Sequence, residues 1–221
     1  MTDALGCSEL CLAGRLEDKL DLLEDLGLWL ELANMGPRDL SALDSYDVEV
    51  KTVQAYLLHE FHWLSSERRI REAAHEHVLD TIQVAEGIGA DYMLTVPTYG
   101  FDLVDKPRQE CIENYRRISK ETHLRILIEA LSPNQTGFLP SLPAVAELVD
   151  EIAVDNVGLA ADTWHIKESD VDVVDVLREL EGHVIELHLR DTDSRPPGRG
   201  SMDFRGILRA SSPRLLCLEF K

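Results

Sequence analysis

The sequence predicts an α/β fold of the (β/α)8 or TIM-barrel class, on two observations. Short apolar runs rich in β-branched residues alternate with segments of helical period along the chain. Eight such runs occur, as expected for repeated βα units around a parallel sheet. A single domain spanning 1–221 is expected, because a chain of 221 residues with 44% hydrophobic residues can bury one good core and is short of two ordinary domains.

The predicted strands and helices follow one another in order. The strands are expected at 6–13, 28–33, 48–59, 91–97, 125–131, 157–162, 184–191 and 215–220. Five helices are expected at 15–27, 66–90, 106–123, 142–153 and 173–182, several of them closed by a C-cap glycine. The second unit offers only a helical turn at 41–46, and the seventh a short helix capped by Asp203.

The eighth predicted strand reaches almost to the last residue, Lys221. A closed barrel of this class usually has about 250 residues and eight outer helices. We therefore expect a trimmed barrel that lacks its final outer helix. The outer faces of the first and last strands would then be exposed, so a homo-oligomer is the economical expectation.

Composition and charge exclude several classes of function. A formal net charge of −19 repels polyanions, and no basic stripe with interleaved aromatics is visible, so nucleic acid is not an expected partner. No apolar run approaches the roughly 20 residues that cross a bilayer, and the N-terminus lacks the order of a secretory signal. A cytoplasmic protein with a small-molecule substrate and no membrane partner is expected.

Four acidic and imidazole residues each end a predicted strand in the second half of the chain. The runs RILIEA, VGLAADTWH, VIELHL and LLCLEF carry Glu129, Asp162, His188 and Glu219. A barrel builds its active site at the carboxyl ends of its strands. Three carboxylates and one imidazole converging there predict a site for one divalent metal ion of the Mn, Mg, Co or Zn type.

The faces of these strands suit a barrel interior. Side chains alternate across a strand, so each candidate shares its face with the residue two positions earlier. His188 is unusual because it shares its face with Glu186, which would bury a further, hydrogen-bonded carboxylate below the metal. The other candidates have apolar or small partners, namely Leu127 for Glu129, Ala160 for Asp162 and Cys217 for Glu219.

Two local motifs add candidate contacts for a substrate. His165 follows Asp162 closely and is placed for a substrate oxygen rather than for the same metal. The loop RDTDSRPPGRGSMDF carries Arg195, a fixed cation, and its glycines let the backbone approach a ligand. The alternative is that PPGRG is only a turn and that Arg195 is solvated.

Together, the segments CSELCLA, LWLELA, SSERRIREAAHEHVLDTIQVAEGIGADY, LIEALSPNQTG, ADTWH, HLRDTDSRPPGRGSMDF and CLEF span nearly the whole chain. In this order they resemble the xylose isomerase-like barrel superfamily. That superfamily contains sugar and sugar-phosphate isomerases and epimerases, hydroxypyruvate isomerase, inosose dehydratase and the type IV apurinic endonucleases.

The epimerase branch of this superfamily implies roles for individual residues. Glu129, Asp162, His188 and Glu219 would hold one divalent metal ion. Glu129 and Glu219 would also transfer protons, while His165 and Arg195 would contact substrate hydroxyls or the carbonyl. The implied activity is a divalent-metal-dependent isomerisation or epimerisation of a small sugar, polyol or hydroxy-carbonyl compound, by proton transfer through a metal-stabilised ene-diolate.

Three further residues are candidate substrate contacts. Glu31 ends the second predicted strand and could bind a substrate hydroxyl, although a salt bridge within the barrel rim fits its position equally. His59 follows the third strand and would wall the pocket, with simple packing as the alternative. Gln135 follows the fifth strand and would hydrogen-bond a sugar.

Two rival functions remain open at this point. A dehydratase of the inosose or dehydroshikimate type would use the same metal and base but expel a hydroxyl. A barrel that binds without catalysis is the second rival. The trinuclear endonuclease branch is not expected, because the fourth strand ends in LTVPTYG without a histidine and Arg195 stands where a ligand would be required. The substrate, and whether it is phosphorylated, are left open.

Overall fold

Eight parallel strands form a closed barrel in the computed structural model, which describes residues 5–221. Each strand pairs with the next in sequence, and the last pairs with the first. The predicted TIM barrel is therefore confirmed. The strands are β1 (Leu5–Ser8), β2 (Trp29–Ala33), β3 (Val50–Gln54), β4 (Tyr92–Thr95), β5 (Arg125–Glu129), β6 (Val157–Asp162), β7 (Val184–Leu189) and β8 (Leu215–Leu218).

Helices cover the outside of the barrel and include the five predicted ones. They are α1 (Leu16–Leu26), α2 (Arg68–Gly87), α3 (Pro107–Ile118), α4 (Leu142–Ile152), α5 (Thr163–Glu168), α6 (Val173–Glu179) and α7 (Phe204–Ala210), with single 3-10 turns at Glu9–Cys11, Ser41–Ser45, Tyr56–His59 and Thr192–Ser194. Asp203 caps α7 as predicted, its side chain accepting from the Gly206 N–H. β8 is the last element of the described residues. Among residues 5–221, no helix combines the length and apolar character needed to cross a bilayer.

Two strands are much shorter than predicted, and each is followed by a 3-10 turn. β1 ends at Ser8 because Glu9 turns inward, where its buried carboxylate accepts the N–H of Ala33 and forms ion pairs with Lys19 and Arg38. β3 ends at Gln54. The pairing of β3 with its neighbours β2 and β4 stops at this residue, and the 3-10 turn begins at Tyr56.

The apolar core has an outer shell and two smaller clusters inside the barrel. The outer shell lies between strands and helices, and the buried residues Ala74, Val78 and Ile82 of α2 belong to it. The interior clusters are Leu94, Leu127, Ala160 and Ile185, and Trp29, Leu215 and Cys217. These two clusters fill the lower part of the barrel interior with apolar side chains. The buried charged groups therefore lie nearer the carboxyl ends of the strands.

The interior packing around Trp29 gives a stability prediction. A Cβ at Gly6 in β1 would collide with the indole of Trp29, which is itself buried against Leu215 and Cys217. We expect Gly6→Val to lower the free energy of unfolding by about 1–3 kcal/mol through overpacking. Chemical denaturation measures the change. Gly87→Ala is the matched control, because a Cβ added at this last residue of α2 would meet no atom within 4 Å.

The control should retain or slightly exceed the wild-type denaturation midpoint, because alanine favours a helix more than glycine does. A wild-type midpoint for Gly6→Val as well would show that the indole is free to move, contrary to the packing described above.

Candidate active site

Four strands bring Glu129, Asp162, His188 and Glu219 together at their carboxyl ends. Glu129 and Asp162 end β5 and β6, His188 lies in β7, and Glu219 directly follows β8. One ligand atom from each residue lies within 4.8 Å of those of the other three, and all four side chains are buried. The structure thus assembles the four residues that the sequence predicts as metal ligands.

A cavity of about 460 Å³ lies beside this cluster at the carboxyl ends of the strands. Glu129 and Glu219 line it, so two of the four clustered residues are open to a bound molecule. His59, Gln135 and His165 line it too. These three were predicted from the sequence as substrate contacts, and the structure places each of them where such a contact can form.

The imidazole of His188 separates the surrounding carboxylates into two groups. Its Nδ1 lies 3.2 Å from Glu129 Oε1 and 3.3 Å from Glu219 Oε2. Its Nε2 lies 2.9 Å from Glu31 Oε2 and 3.4 Å from Glu186 Oε1. The ring is fully buried, so each nitrogen depends on these carboxylates for its polar contacts.

Glu186 behaves as its position on the strand predicts. It shares the inward face of β7 with His188 and is fully buried. The hydroxyl of Thr52 donates a hydrogen bond to its Oε2 at 2.8 Å. The expected hydrogen-bonded carboxylate below the candidate metal ligands is therefore present.

Glu31 lies outside the cavity wall, unlike His59, Gln135 and His165. Its carboxylate is fully buried and accepts a hydrogen bond from Nε2 of His188 at 2.9 Å. Glu31 is absent from the cavity wall because it lies on the interior face of β2, paired with Thr52 of β3 below the rim. The structure shows an ion pair of Glu31 with His188 inside the barrel, while a substrate contact by Glu31 stays a prediction. Burial raises the pKa of Glu31 to about 7, although the charge of His188 opposes this.

Negative charge dominates the electrostatics of the cluster. Burial disfavours the charged imidazole of His188, but the carboxylates of Glu31 and Glu219 outweigh burial and raise its pKa well above the usual value. Burial also raises the pKa of Asp162 to about 7, against the effect of Arg190. Burial acts in the same direction on Glu219, but its pKa is lowered because the charges of Arg190 and His188 outweigh that effect.

Arg190 is the cation in contact with the acidic cluster, and the sequence analysis missed it. Its Nη2 donates to Asp162 Oδ2 and to Glu219 Oε2, and its guanidinium carbon lies 5.1 Å from the centroid of the Trp164 ring. The signal that could have found it is the alternation along β7. Arg190 is two residues beyond His188 and therefore points to the same side of the strand.

The loop after β7 places Arg195, the cation predicted from the sequence, elsewhere. Its side chain is exposed and lies 3.2 Å from Asp193, outside the cavity wall. The loop folds around the buried carboxylate of Asp191, which accepts the N–H groups of Gly198 and Gly200. A Cβ at Gly200 would collide with that carboxylate. The glycine thus permits a close approach to Asp191, while a substrate contact by Arg195 stays a prediction.

His165 is held as a neutral hydrogen-bond donor toward the cavity. Asp162 caps α5 by accepting the Trp164 N–H at 2.6 Å, which fixes the start of a helix that the sequence analysis did not predict. The backbone N–H of Ser132 donates to Nδ1 of His165 at 3.2 Å. Burial lowers the pKa of His165 to about 4. With Nδ1 accepting, the single ring proton of the neutral imidazole lies on Nε2.

Several buried polar atoms have no hydrogen-bond partner within residues 5–221. Two of them, Oε1 of Gln54 and Oε1 of Gln135, belong to side chains that line the cavity. Two others, Oε1 of Glu129 and Nδ1 of His188, lie 3.2 Å apart without forming a hydrogen bond. A buried polar atom without a partner is costly. The first pair therefore fits hydroxyl groups of a ligand, and the second pair fits a cation.

A family model described as xylose isomerase-like TIM barrel matches residues 21–210. The chain therefore belongs to the xylose isomerase-like TIM barrel family, as the resemblance of its motifs indicated. A curated relative, the D-psicose 3-epimerase of Enterocloster bolteae, is 26% identical over 106 residues, which are 47% of this chain. The match spans about a third of the length of that relative, namely 35%.

Solved structures share the fold at low sequence identity. D-psicose 3-epimerase from Clostridium cellulolyticum H10 superimposes with a TM-score of 0.80 at 15% identity, over 97% of this chain and 84% of that one. An L-ribulose 3-epimerase gives a TM-score of 0.84 at 16% identity, over 98% and 80%. The IOLI protein with a bound zinc atom gives 0.81 at 17% identity, over 98% and 88%. At these identities the likeness concerns the fold.

The protonation state of His165 gives a pH prediction. An exposed or unfolded histidine has a pKa of about 6.5, whereas burial lowers the pKa of folded His165 to about 4. Between these two pKa values the unfolded chain binds a proton that the folded chain does not. The free energy of unfolding therefore decreases as the pH falls through this range. Nitrogen-15 NMR of the imidazoles, assigned with His165→Gln, should show His165 neutral at pH 5 to 7, roughly the window in which ordinary histidines titrate. Titration of this ring near its ordinary pKa would contradict the assignment.

Proposed function

We propose that this protein is a divalent-metal-dependent isomerase or epimerase of a small sugar, polyol or related hydroxy-carbonyl compound. One observation carries the proposal. Glu129 and Glu219 both approach Nδ1 of His188 and both line a cavity whose walls also carry the amides of Gln54 and Gln135. Two carboxylates beside hydroxyl-binding groups are suited to moving a proton on a polyhydroxylated substrate.

Four residues would hold the metal, namely Glu129, Asp162, His188 and Glu219. Three carboxylates and one imidazole suit Mn, Mg, Co or Zn. The unpartnered atoms Glu129 Oε1 and His188 Nδ1 support this assignment, since a cation between them would satisfy both. A bound divalent cation would supply positive charge that polarises the substrate oxygens and balances the carboxylates.

Proton transfer is assigned to Glu129 and Glu219. One carboxylate removes the proton from the carbon next to the substrate carbonyl, which leaves an ene-diolate, and the other returns a proton to that carbon from the opposite face. This inverts the centre and makes an epimerase; return of the proton to the neighbouring carbon makes an isomerase. The Nε2–H of His165 donates to a substrate oxygen, and the side-chain amides of Gln54 and Gln135 bind hydroxyls.

The names of the relatives support the epimerase reaction. A D-psicose 3-epimerase matches part of the sequence, and a D-psicose 3-epimerase and an L-ribulose 3-epimerase share the fold. A zinc atom is named in the structure of the IOLI protein, which also shares the fold. The epimerase names support an epimerase reaction on a sugar, and the zinc atom supports a bound metal, as the proposal for this chain.

Deuterium exchange tests the proposal. Protein loaded with Mn²⁺ is incubated with a panel of ketoses in deuterated water, and NMR detects deuterium at the carbon next to the carbonyl. Glu129→Gln and Glu219→Gln should each lower the exchange rate by about 10²–10⁴-fold, the range for loss of a general base or acid. Glu179→Gln is the matched control, because Glu179 is exposed on α6.

Removal of the metal with EDTA should abolish exchange, and added Mn²⁺ should restore it. No exchange across the panel would overturn the isomerase proposal. An enone absorbance would replace it with the dehydratase, and tight ligand binding without turnover would replace it with a binding barrel.

A further inference from the structure

Arg190 occupies an unusual position for an arginine. It lies directly after β7, it is only 8% exposed, and its guanidinium stacks near the ring of Trp164. Thr163 fixes its backbone, because the Thr163 hydroxyl accepts the Arg190 N–H at 2.9 Å and lies 2.7 Å from the Arg190 carbonyl oxygen. The side chain therefore starts from a rigid point and reaches into the acidic cluster.

The partners of Arg190 are two of the four candidate metal ligands. A single nitrogen, Nη2, donates to both Asp162 Oδ2 and Glu219 Oε2. Hydrogen bonds between ionised groups are the stronger kind, and in this buried setting water competes with them little. Asp162 and Glu219 are therefore already bound to the guanidinium of Arg190 when a divalent cation approaches them as ligands.

We propose that Arg190 competes with the divalent cation for Asp162 and Glu219 and so sets the affinity of the site for metal. This inference rests on the proposed function, because it takes the same four residues as metal ligands. Two physical effects act in the same direction. Metal binding has to break or lengthen two charge-assisted hydrogen bonds, and a fixed positive charge beside the site repels a second cation.

Trp164 gives the guanidinium a contact that does not depend on the two carboxylates. A guanidinium over an indole face is stabilised by the cation–π interaction, and the guanidinium of Arg190 already lies over this face, 5.1 Å from the ring centroid. The side chain can therefore withdraw from Asp162 and Glu219 while it remains at the cavity wall. Arg190 lines the cavity, so a displaced guanidinium has open space beside it.

Metal affinity of an arginine variant tests the competition without any activity measurement. Purified protein is stripped with EDTA, dialysed and titrated with Mn²⁺, and electron paramagnetic resonance measures the free ion. Arg190→Met should bind Mn²⁺ at least about tenfold more tightly than wild type, since it loses both the competing hydrogen bonds and the charge. Arg205→Met removes an equal charge from an exposed position on α7 and should stay within about twofold of wild type, as a remote surface charge is screened.

An Arg190→Met variant with unchanged or weaker Mn²⁺ binding would overturn the competition while leaving the metal site intact. Absence of Mn²⁺ binding by both the wild type and Arg190→Met would instead overturn the metal in the proposed function, and the competition with it. These two failures are therefore distinguishable.

A second measurement on the wild-type protein applies even if Arg190→Met does not fold. Because the guanidinium stacks near Trp164, its displacement should change the emission of that indole. Titration with Mg²⁺, which does not quench fluorescence by paramagnetism, should give a saturable change that EDTA reverses and that Trp164→Phe abolishes. Bound metal without any change in Trp164 emission would overturn the competition.

Discussion

A buried imidazole with carboxylates at both of its nitrogens is the constraint on which the upper part of the barrel depends. Nε2 of His188 contacts Glu31 and Glu186 from one side, and Nδ1 faces Glu129 and Glu219 on the other. Buried charges are tolerated only when they are paired, and removing one partner leaves the others uncompensated. His188, with Arg190 beside Glu219, therefore allows these acids to lie close together.

The cluster is positioned by backbone contacts of neighbouring strands rather than by its own charges alone. Asp162 pairs in register with His188. The hydroxyl of Thr163 connects the two strand ends, because it lies within hydrogen-bond distance of the carbonyl oxygens of His188 and Arg190. Asp191 anchors the next loop through backbone N–H groups, including that of Gly200. These contacts hold the side chains at the rim before any ligand binds, which is the preorganisation that a proton-transfer site requires.

The sequence was sufficient for the barrel and for the four clustered residues, because these depend on local patterns. An apolar run shows where a strand lies, and an acid or imidazole at its end shows which residue reaches the rim. Depth inside the barrel is not a local property. Glu31 ends an apolar run as Glu129 does, yet β2 continues beyond it to Ala33, whereas Glu129 is the last residue of β5. The level of such a residue depends on the stagger between strands, which one strand's sequence does not encode.

Arg190 was missed for a related reason. The alternation along β7 predicts the side to which it points, but its partners Asp162 and Glu219 come from other strands, and its stacking partner Trp164 from α5. The exposed Arg195 in a glycine-rich loop was the more conspicuous cation in the sequence. The three-dimensional arrangement shows that the loop glycines donate their N–H groups to Asp191. It also shows that Arg190, and not Arg195, contacts the acidic cluster.

Binding of one divalent cation by the four clustered side chains is the central claim. Anomalous diffraction from crystals soaked in Mn²⁺, recorded at the manganese absorption edge, tests it most directly. We predict a single strong peak bonded to Glu129, Asp162, Nδ1 of His188 and Glu219. A peak bonded to other residues, or no manganese peak at any of these four, would contradict it.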